Sequence, residues 1–528
     1  MTDPKRCPEK AALSRRNLLR SGAAVAATGL VASPALARRN SRRCPGYDYL
    51  FTLGVASGDP SHDSVTLWTR LAPEPTTGGG MRNERVAVKW RVATDEHMRH
   101  VVRKGVFQAR PETGHTVQVR PRGLREDRWY YYQFEALGQE SRIGRTRTFP
   151  GSHCQNVQKM RFALASCQDY QNGFFGAYRH MAEEDLDFVL HVGDYIYEYG
   201  PNPDGPRQVP DDEITTLEDY RNRYALYRLD TALQDAHAAF PFIVTFDDHE
   251  VDNNYAGLIP EDDQSADDFL ARRTAAYQAF YENIPMAPSA QPRGANIRVY
   301  RDFAYGSLAN ISLLDTRQYR SDQPCGDGFT VICEELYDPS ATLLGDTQQQ
   351  WLEQNLSTSS AQWNVIAQQI MVTQWDLGPA QGLPVPAFNM DAWDGYPAAR
   401  EKLMAFLDEA AIRNPVVLTG DIHSSWLADL KRDYTDESAP VIATEFVGTS
   451  IASDFPLYLV PVVEATLPAN PHIKFFDGVY RGYIKHEVTA KAWTADYMAV
   501  DNLVDPNSSV SVLASFAVED GKPGAENA

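Results

Sequence analysis

Phe188-Val189-Leu190-His191-Val192-Gly193-Asp194-Tyr195-Ile196-Tyr197 is a short apolar run that stops at a glycine, a carboxylate and a tyrosine. A run of this kind reads as a strand buried on both faces, as in sheets covered by helices. Residues 162–165, 242–246, 308–314, 365–369 and 416–419 have the same character. Between them, residues 220–235, 267–281, 347–355 and 397–414 carry helical periodicity. The alternation predicts a layered α/β domain over residues 158–520. In open α/β sheets, sites form in the crevice beyond the carboxyl ends of the strands, so the strand endings come next. Arg161-Phe162-Ala163-Leu164-Ala165-Ser166 runs into Cys167, and residues 242–246 run into Asp247-Asp248-His249-Glu250. Residues 416–419 run into Gly420-Asp421-Ile422-His423. With Asp194 and Tyr197, four strands bring potential metal ligands to one edge.

Upstream the pattern changes. Residues 49–55, 64–70, 86–92, 115–119 and 129–136 are short alternating stretches separated by Gly, Pro and Asp. They predict an antiparallel β-sandwich domain over residues 44–150 with a structural or interface-forming role. There is no internal repeat or low-complexity tract, and the tail from Gly521 reads as frayed. Residues 460–480 are a candidate cover for the cleft.

The chain of 528 residues is 43% hydrophobic, enough for a large core, and its net charge is −20. Such a balance suits neither the phosphate backbone of nucleic acid nor an anionic membrane surface, so no nucleic-acid partner is expected. Ser14-Arg15-Arg16-Asn17-Leu18-Leu19 carries a twin-arginine pattern, followed by a mildly apolar run ending Ala35-Leu36-Ala37. Residues 1–37 are therefore read as a twin-arginine signal peptide with a cut after Ala37. The run is too rich in Ala and Gly for a membrane anchor, and no later segment is long and apolar enough to span a bilayer. The expected product is a secreted or periplasmic monomer that meets the twin-arginine export machinery as a folded protein.

Of six cysteines, Cys7 lies in the signal, leaving Cys44, Cys154, Cys167, Cys325 and Cys333. An odd number in an oxidising compartment leaves one thiol to explain. Cys325 with Cys333 and Cys44 with Cys154 are plausible pairs by position, although sequence leaves connectivity open. With those pairs formed, Cys167 remains.

Asp194, Asp248 and Asp421 are costly to gather unless cations neutralise them. Carboxylate oxygen suits a hard ion such as Ca²⁺, whereas the Cys167 thiolate and Tyr197 phenolate favour a highly charged or softer transition metal. Singly, a buried cysteine is usually core, and Gly-Asp after a strand is often only a turn. Their joint occurrence at four strand ends is what points to metal. Asp169, Glu198, Asp247 and Glu250 read as readily as surface or supporting residues. Hydrolysis of a phosphate ester needs a hydroxide near neutral pH and compensation of charge on the phosphoryl oxygens, both of which metal ions supply.

These residues resemble the metallophosphoesterase blocks, in the variant of the alkaline phosphatase D (PhoD-like) family. The resemblance rests on Gly193-Asp194-x-x-Tyr197, Asp247-Asp248-His249-Glu250-Val251-Asp252-Asn253-Asn254 and Gly420-Asp421-x-His423. It extends to Ser166-Cys167-Gln168, Leu314-Asp315-Thr316-Arg317-Gln318-Tyr319-Arg320, Asp391-Ala392-Trp393-Asp394-Gly395-Tyr396 and Val55-Ala56-Ser57-Gly58-Asp59-Pro60. It implies a layered metallophosphoesterase-type α/β sandwich behind an N-terminal all-β sandwich domain. The implied activity is hydrolysis of phosphomonoesters and phosphodiesters. The implied ions are Fe³⁺ held by Cys167, Asp194, Tyr197 and His423, and Ca²⁺ held by Asp248 and Asp421 with Asp194 bridging. Cys167, Asp248 and Asp421 stand where the wider superfamily has neutral ligands, which disfavours the alternative of Zn²⁺ or Mn²⁺ alone. His249 would sit beside the phosphate as proton donor or charge stabiliser. Arg317 is a candidate catalytic phosphate clamp, as is Arg320, with a structural ion pair as the competing role.

The expected mechanism is in-line attack of a metal-bound hydroxide on phosphorus in a small phosphoester substrate, without a covalent intermediate. No Gly-x-Ser-x-Gly elbow suggests a serine hydrolase, and His249-Glu250 lacks the second histidine of a zinc protease. The alternatives are a phospholipase D-like phosphodiesterase of the same fold and a secreted binding protein whose metals are structural. The physiological ester is left open.

Overall fold

A computed structural model describes residues 47–210 and 212–528. The expected signal peptide and the Cys44 half of one expected disulfide lie outside the described residues. The other pair, Cys325 with Cys333, is formed, and Cys167 is the free cysteine among the described residues.

Two large sheets face each other. The first has ten strands in the order Lys522–Asn527, Val510–Glu519, Ala492–Val500, Arg481–Val488, Met160–Ala165, Phe188–His191, Pro241–Val244, Val55–Gly58, Thr66–Arg70 and Thr116–Val119. The second has seven, in the order Arg301–Tyr305, Ala309–Leu313, Trp363–Ala367, Pro415–Thr419, Ala443–Val447, Ser425–Leu430 and Ile473–Asp477. The two-residue period divides each central strand between two cores. Phe162, Leu164, Phe188 and Leu190 turn inward against Ile311, Val365, Val416 and Leu418 of the opposite sheet. Ala163 and Val189 turn outward, under Tyr178, Tyr224 and Phe280 of the helices Gly176–Glu183, Leu217–Arg228 and Ala266–Asn283. On the far side, Ile366 and Val417 pack beneath Leu352 and Leu403 of the helices Gly345–Thr358 and Pro397–Glu409. The result is a four-layered α/β sandwich. Every strand of its central part is covered on both faces, which is why those strands read as unbroken apolar runs.

The N-terminal all-β region is a sandwich of an unexpected kind. Val101–Ala109, Val86–Ala93, Trp129–Ala136 and Gln139–Glu140 form one sheet, to which Gly144–Arg147 pairs. Its facing layer is the end of the ten-stranded sheet: Val55, Leu67 and Val117 pack against Val88, Tyr132 and Phe134. Val55–Gly58 pairs in parallel with Pro241–Val244, so the N-terminal region is continuous with the sheet that carries the site.

Two local expectations are corrected. The helix expected over residues 220–235 is two helices, because Asp230 accepts from the backbone N–H groups of Ala232 and Leu233 and caps a second helix, Thr231–Ala239. The tail from Gly521 is not frayed: Lys522–Asn527 is an edge strand with Ala525 buried against the core, and its polar composition suits an edge exposed on its other side.

Candidate metal centre

Met160–Ala165, Phe188–His191 and Pro241–Val244 are parallel neighbours, so their carboxyl ends open on one edge. Pro415–Thr419 ends at the same crevice from the opposite sheet. The four endings thus come from two sheets, and the site lies between them. Each chain turns sharply there: Cys167 (φ 57°), Asp194 (φ 56°), Asp421 (φ 66°) and His423 (φ 56°) all adopt left-handed backbone. For a residue with a Cβ this costs on the order of 1–3 kcal/mol, and such strain concentrates at functional sites. Gly193 (φ 119°) precedes Asp194 because a Cβ there would lie 2.4 Å from the Cβ of Asp247. The buried Glu250 carboxylate holds these turns together, accepting from the backbone N–H groups of Asp194 (3.1 Å), Tyr195 (2.6 Å) and Asp247 (2.8 Å).

At one end of the crevice the Tyr197 hydroxyl donates to Asp194 Oδ2 at 2.9 Å and lies 3.0 Å from His423 Nε2. Ser453 Oγ donates to the same hydroxyl at 2.7 Å. His423 Nδ1 is 2.8 Å from the backbone carbonyl of Asp454, an acceptor only, so Nδ1 carries the proton and Nε2 presents its lone pair to the site. Cys167, Asp194 and His423 bring donor atoms within 4.8 Å of one another. Two further groups overlap this one in a chain: Asp194, Asp248 and His249, then Asp247, Asp248 and Asp421. Every metal-ligating residue expected from the sequence is in this crevice. Asp247, read there as equally a supporting residue, joins the third group.

The chemistry of the donors fits cations. Asp194 Oδ1, Asp247 Oδ2 and Asp248 Oδ1 are buried and have no hydrogen-bond partner among the described residues. A buried carboxylate oxygen without a partner is costly unless a positive charge meets it. Burial and the neighbouring Asp194 push the Cys167 thiol well up. Burial likewise raises the carboxyls of Asp247 and Asp248, and that of Asp421 to about 7, against the pull of Arg317. The crevice is short of positive charge.

His249 lies beneath Tyr197, ring centroids 4.1 Å apart, with Nδ1 2.8 Å from the buried Glu198 carboxylate. That contact leaves Nε2 as its free ring nitrogen. Burial works against its protonation, but Glu198, Asp248 and Asp194 overcome it and hold the imidazolium. Arg317 is wholly buried and spends its guanidinium on carboxylates: Asp391 at 2.8 and 2.9 Å, Asp421 at 2.9 Å, Asp248 at 3.4 Å, and Asp247. Arg320 is likewise committed to Asp391 and to the carbonyl of Asn254. Of the two roles open to these arginines in the sequence, the structure displays the ion pair and leaves no donor of Arg317 facing open space. Sequence reasoning passed over Asp391 as a charge partner, although Arg317 and Arg320 stand three residues apart and announce a shared acid.

A cavity of about 380 Å³ opens beside the centre, reaching Asp391, Asp421 and His423. Its opposite wall includes Phe455, Leu459 and Val463. Of the candidate cover over residues 460–480, the helix Val460–Thr466 contributes to this wall, whereas Ile473–Asp477 is an edge strand of the seven-stranded sheet.

Residues 162–497 match the family of PhoD-like phosphatases. The chain belongs to the PhoD-like phosphatase family. Residues 37–150 match the N-terminal domain described for the same family. Alkaline phosphatase D of Bacillus subtilis (strain 168) is 49% identical over 482 residues, 90% of this chain and 82% of that protein. A solved structure of PhoD superposes with a TM-score of 0.87 at 47% identity, over 92% of this chain and 93% of the other. The purple acid phosphatase PPD1 from yellow lupin (Lupinus luteus) shares the fold, with a TM-score of 0.55 at 12% identity over 88% of this chain and 74% of the other. The chain is a phosphatase-type hydrolase of the PhoD-like family with a metallophosphoesterase-like fold. Among the described residues no helix is long and apolar enough to cross a membrane.

Proposed function

We propose that the protein is an exported alkaline phosphatase D-type phosphoesterase that hydrolyses small phosphomonoesters and phosphodiesters with Fe³⁺ and Ca²⁺. The observation that carries the ion assignment is the continuous set of anionic donors, buried from Cys167 through Asp194 to Asp248 and half-buried at Asp421, with oxygens of Asp194, Asp247 and Asp248 left without a hydrogen bond among the described residues. Cys167, Asp194, Tyr197 and His423 would hold the ferric ion, since a thiolate and a phenolate together suit a highly charged transition metal. Asp248 and Asp421, with Asp194 between the two sets and Asp247 alongside, offer the oxygen ligands that calcium takes. Bound there, the ions lower the pKa of a water and offset charge on the phosphoryl oxygens.

The protein's own groups do the rest. Glu198 fixes the ring of His249 through Nδ1, so that Nε2–H can donate to a phosphoryl or leaving oxygen. Asp454, through its carbonyl, fixes His423 in the tautomer a ligand needs. Arg317 acts as a positioning residue that keeps Asp248 and Asp421 in place between the sheets. Export through the twin-arginine machinery is supported by Arg15-Arg16 and the run to Ala37. It explains how metals are acquired before the enzyme reaches the periplasm or the medium.

Elemental analysis of protein purified without added metal tests the assignment, alongside turnover of a small phosphoester. Iron near one equivalent with excess calcium is the expected result. Zinc or manganese alone with activity retained would sink the ferric assignment, and metal bound without any turnover would restore the reading of a secreted binding protein whose metals are structural.

A further inference from the structure

We propose that a cavity of about 470 Å³ between the N-terminal region and the helix Ala266–Asn283 is a second binding site, for a neutral saccharide, separate from the metal centre. Its size lies in the range of about 300–1,000 Å³ usual for small-ligand sites.

The cavity is remote from the crevice. Thr116–Val119 ends the ten-stranded sheet, three strands beyond Pro241–Val244. The register runs from Pro241 through Ser57 and Leu67 to Val119. Val119 is therefore level with the first residue of the strand that leads to Asp247 and Asp248, and Thr116 and Gln118 lie farther still from that strand's carboxyl end. The two-residue period turns Val117 into the core beneath the N-terminal sheet, and turns Thr116 and Gln118 to the opposite face, where they line the cavity.

Two acceptors there are bare. Gln118 Nε2 donates to the backbone carbonyls of Tyr281 and Ile284, the second at 3.2 Å. Turning the amide over would set oxygen against two carbonyl oxygens, so the orientation is fixed and Oε1 is left for the cavity. Gln118 Oε1 and Thr116 Oγ1 are both buried without a hydrogen-bond partner among the described residues, and Thr116 is only 5% exposed. Buried oxygens without partners are costly, and a ligand that donates hydrogen bonds removes that cost.

Charge narrows the class of ligand. No lysine or arginine is among the described residues that line the cavity, so a phosphate or carboxylate would find no cation. The buried acid in the wall is already taken: Glu282 receives Arg221 at 2.6 and 2.7 Å and Gln278 Nε2 at 2.9 Å. A cation would meet only Glu112, which is exposed. What the cavity offers is uncharged acceptors beside the half-buried rings of Phe107 and Tyr281. A neutral sugar matches both, since its hydroxyls donate to the bare oxygens and the C–H face of a pyranose covers an aromatic ring.

The test is calorimetric titration of the metal-loaded enzyme with maltose, cellobiose and N,N′-diacetylchitobiose, each repeated in saturating inorganic phosphate to occupy the metal centre. At least one is expected to bind with a Kd of about 1 mM or tighter, phosphate or no phosphate, and digalacturonate is expected not to bind. Thr116→Val removes a hydroxyl that makes no hydrogen bond in the protein, so the fold should be kept; it and Tyr281→Leu should each weaken binding ~5-fold or more. Small-ester turnover should be unchanged in both variants. Absence of binding by all three disaccharides, affinity unchanged in both variants, or binding abolished by phosphate would overturn the saccharide site. None of these results bears on the phosphoesterase reading, which fails separately, by absence of turnover in the metal-loaded enzyme.

Discussion

Asp391 and Asp248 lie in the same crevice, both buried and both beside Arg317, and their circumstances are opposite. Asp391 receives both hydrogen bonds from Arg317 Nη1, another from Arg320 and a fourth from Gln323 Nε2 at 3.0 Å. Although burial opposes it, the two guanidinium groups hold its carboxyl well below the usual range. Asp248 Oδ1 faces the same Arg317 across an ion-pair contact of 3.4 Å and has no hydrogen-bond partner among the described residues. Burial outweighs Arg317 and raises its carboxyl. The chain pairs Asp391 fully, whereas Asp194 Oδ1, Asp247 Oδ2 and Asp248 Oδ1 are left without a hydrogen bond among the described residues, even though Arg317 reaches Asp247 and His249 stands beside Asp194 and Asp248. A site that fully pairs one aspartate and leaves bare oxygens on the adjacent ones has the second set open to ions from outside.

The largest expected effect tests the bare side. Asp194→Asn removes the carboxylate common to two of the three donor groups, and both iron content and turnover should fall, turnover on the order of 10⁴-fold, read by elemental analysis with steady-state kinetics. Full activity in that variant would break the distinction between the two sides.

On the satisfied side the loss should be of stability instead. Asp391→Asn strands part of two buried guanidinium groups and is expected to cost about 3–5 kcal/mol in denaturant unfolding. An unchanged midpoint would show that the Arg317 cluster is not structural.

His249 sits at the boundary, within reach of Asp194 and Asp248. With His249→Ala, metal content should be retained while kcat falls by ~10²-fold or more. Unchanged turnover with metal present would remove this residue from the catalytic reading. Gly193→Ala, which puts a methyl against Asp247 and strains a backbone at φ 119°, should lower stability by roughly 1–3 kcal/mol, visible as a lower Tm.

The smallest effect concerns pH in metal-stripped protein. A carboxyl raised in the fold binds a proton that the unfolded chain releases, so its ionisation destabilises. With Asp421 at about 7 when folded and roughly 4 when unfolded, stability should decline as pH rises from about 4 to about 7 and then level off. Saturating Fe³⁺ and Ca²⁺ should abolish the slope. Asp248→Asn should leave the Tm of stripped protein unchanged or raised, the reverse of Asp391→Asn, and a lower Tm would count against the contrast.

Much of this was legible in the chain because local physics writes it there. Phe162, Leu164, Phe188 and Leu190 face one core while Ala163 and Val189 face another, and a strand buried on both sides can be read without knowing its neighbours. The ligands were legible for a related reason: Cys167, Asp194, Asp248 and Asp421 each interrupt an apolar run within a few residues of its end. Where burial is one-sided or pairing is remote, the signal fails. Val101–Ala109 is exposed along most of its length and went unread, and Lys522–Asn527 buries little beyond Ala525. Nothing near Val55 indicates that its strand pairs beside Pro241–Val244, since the pairing energy is the same for any register-compatible neighbour.

By itself the sequence determined which residues are apolar, where the runs stop and which donors stand at the stops, because these follow from side-chain chemistry and short-range periodicity. Only the tertiary structure decided that the stops come from two facing sheets, that Arg317 is given to carboxylates, and that Asp247 and Asp391 belong to the site. Charge compensation in a buried crevice depends on distances of a few ångströms between residues far apart in the chain, and no local pattern encodes those distances.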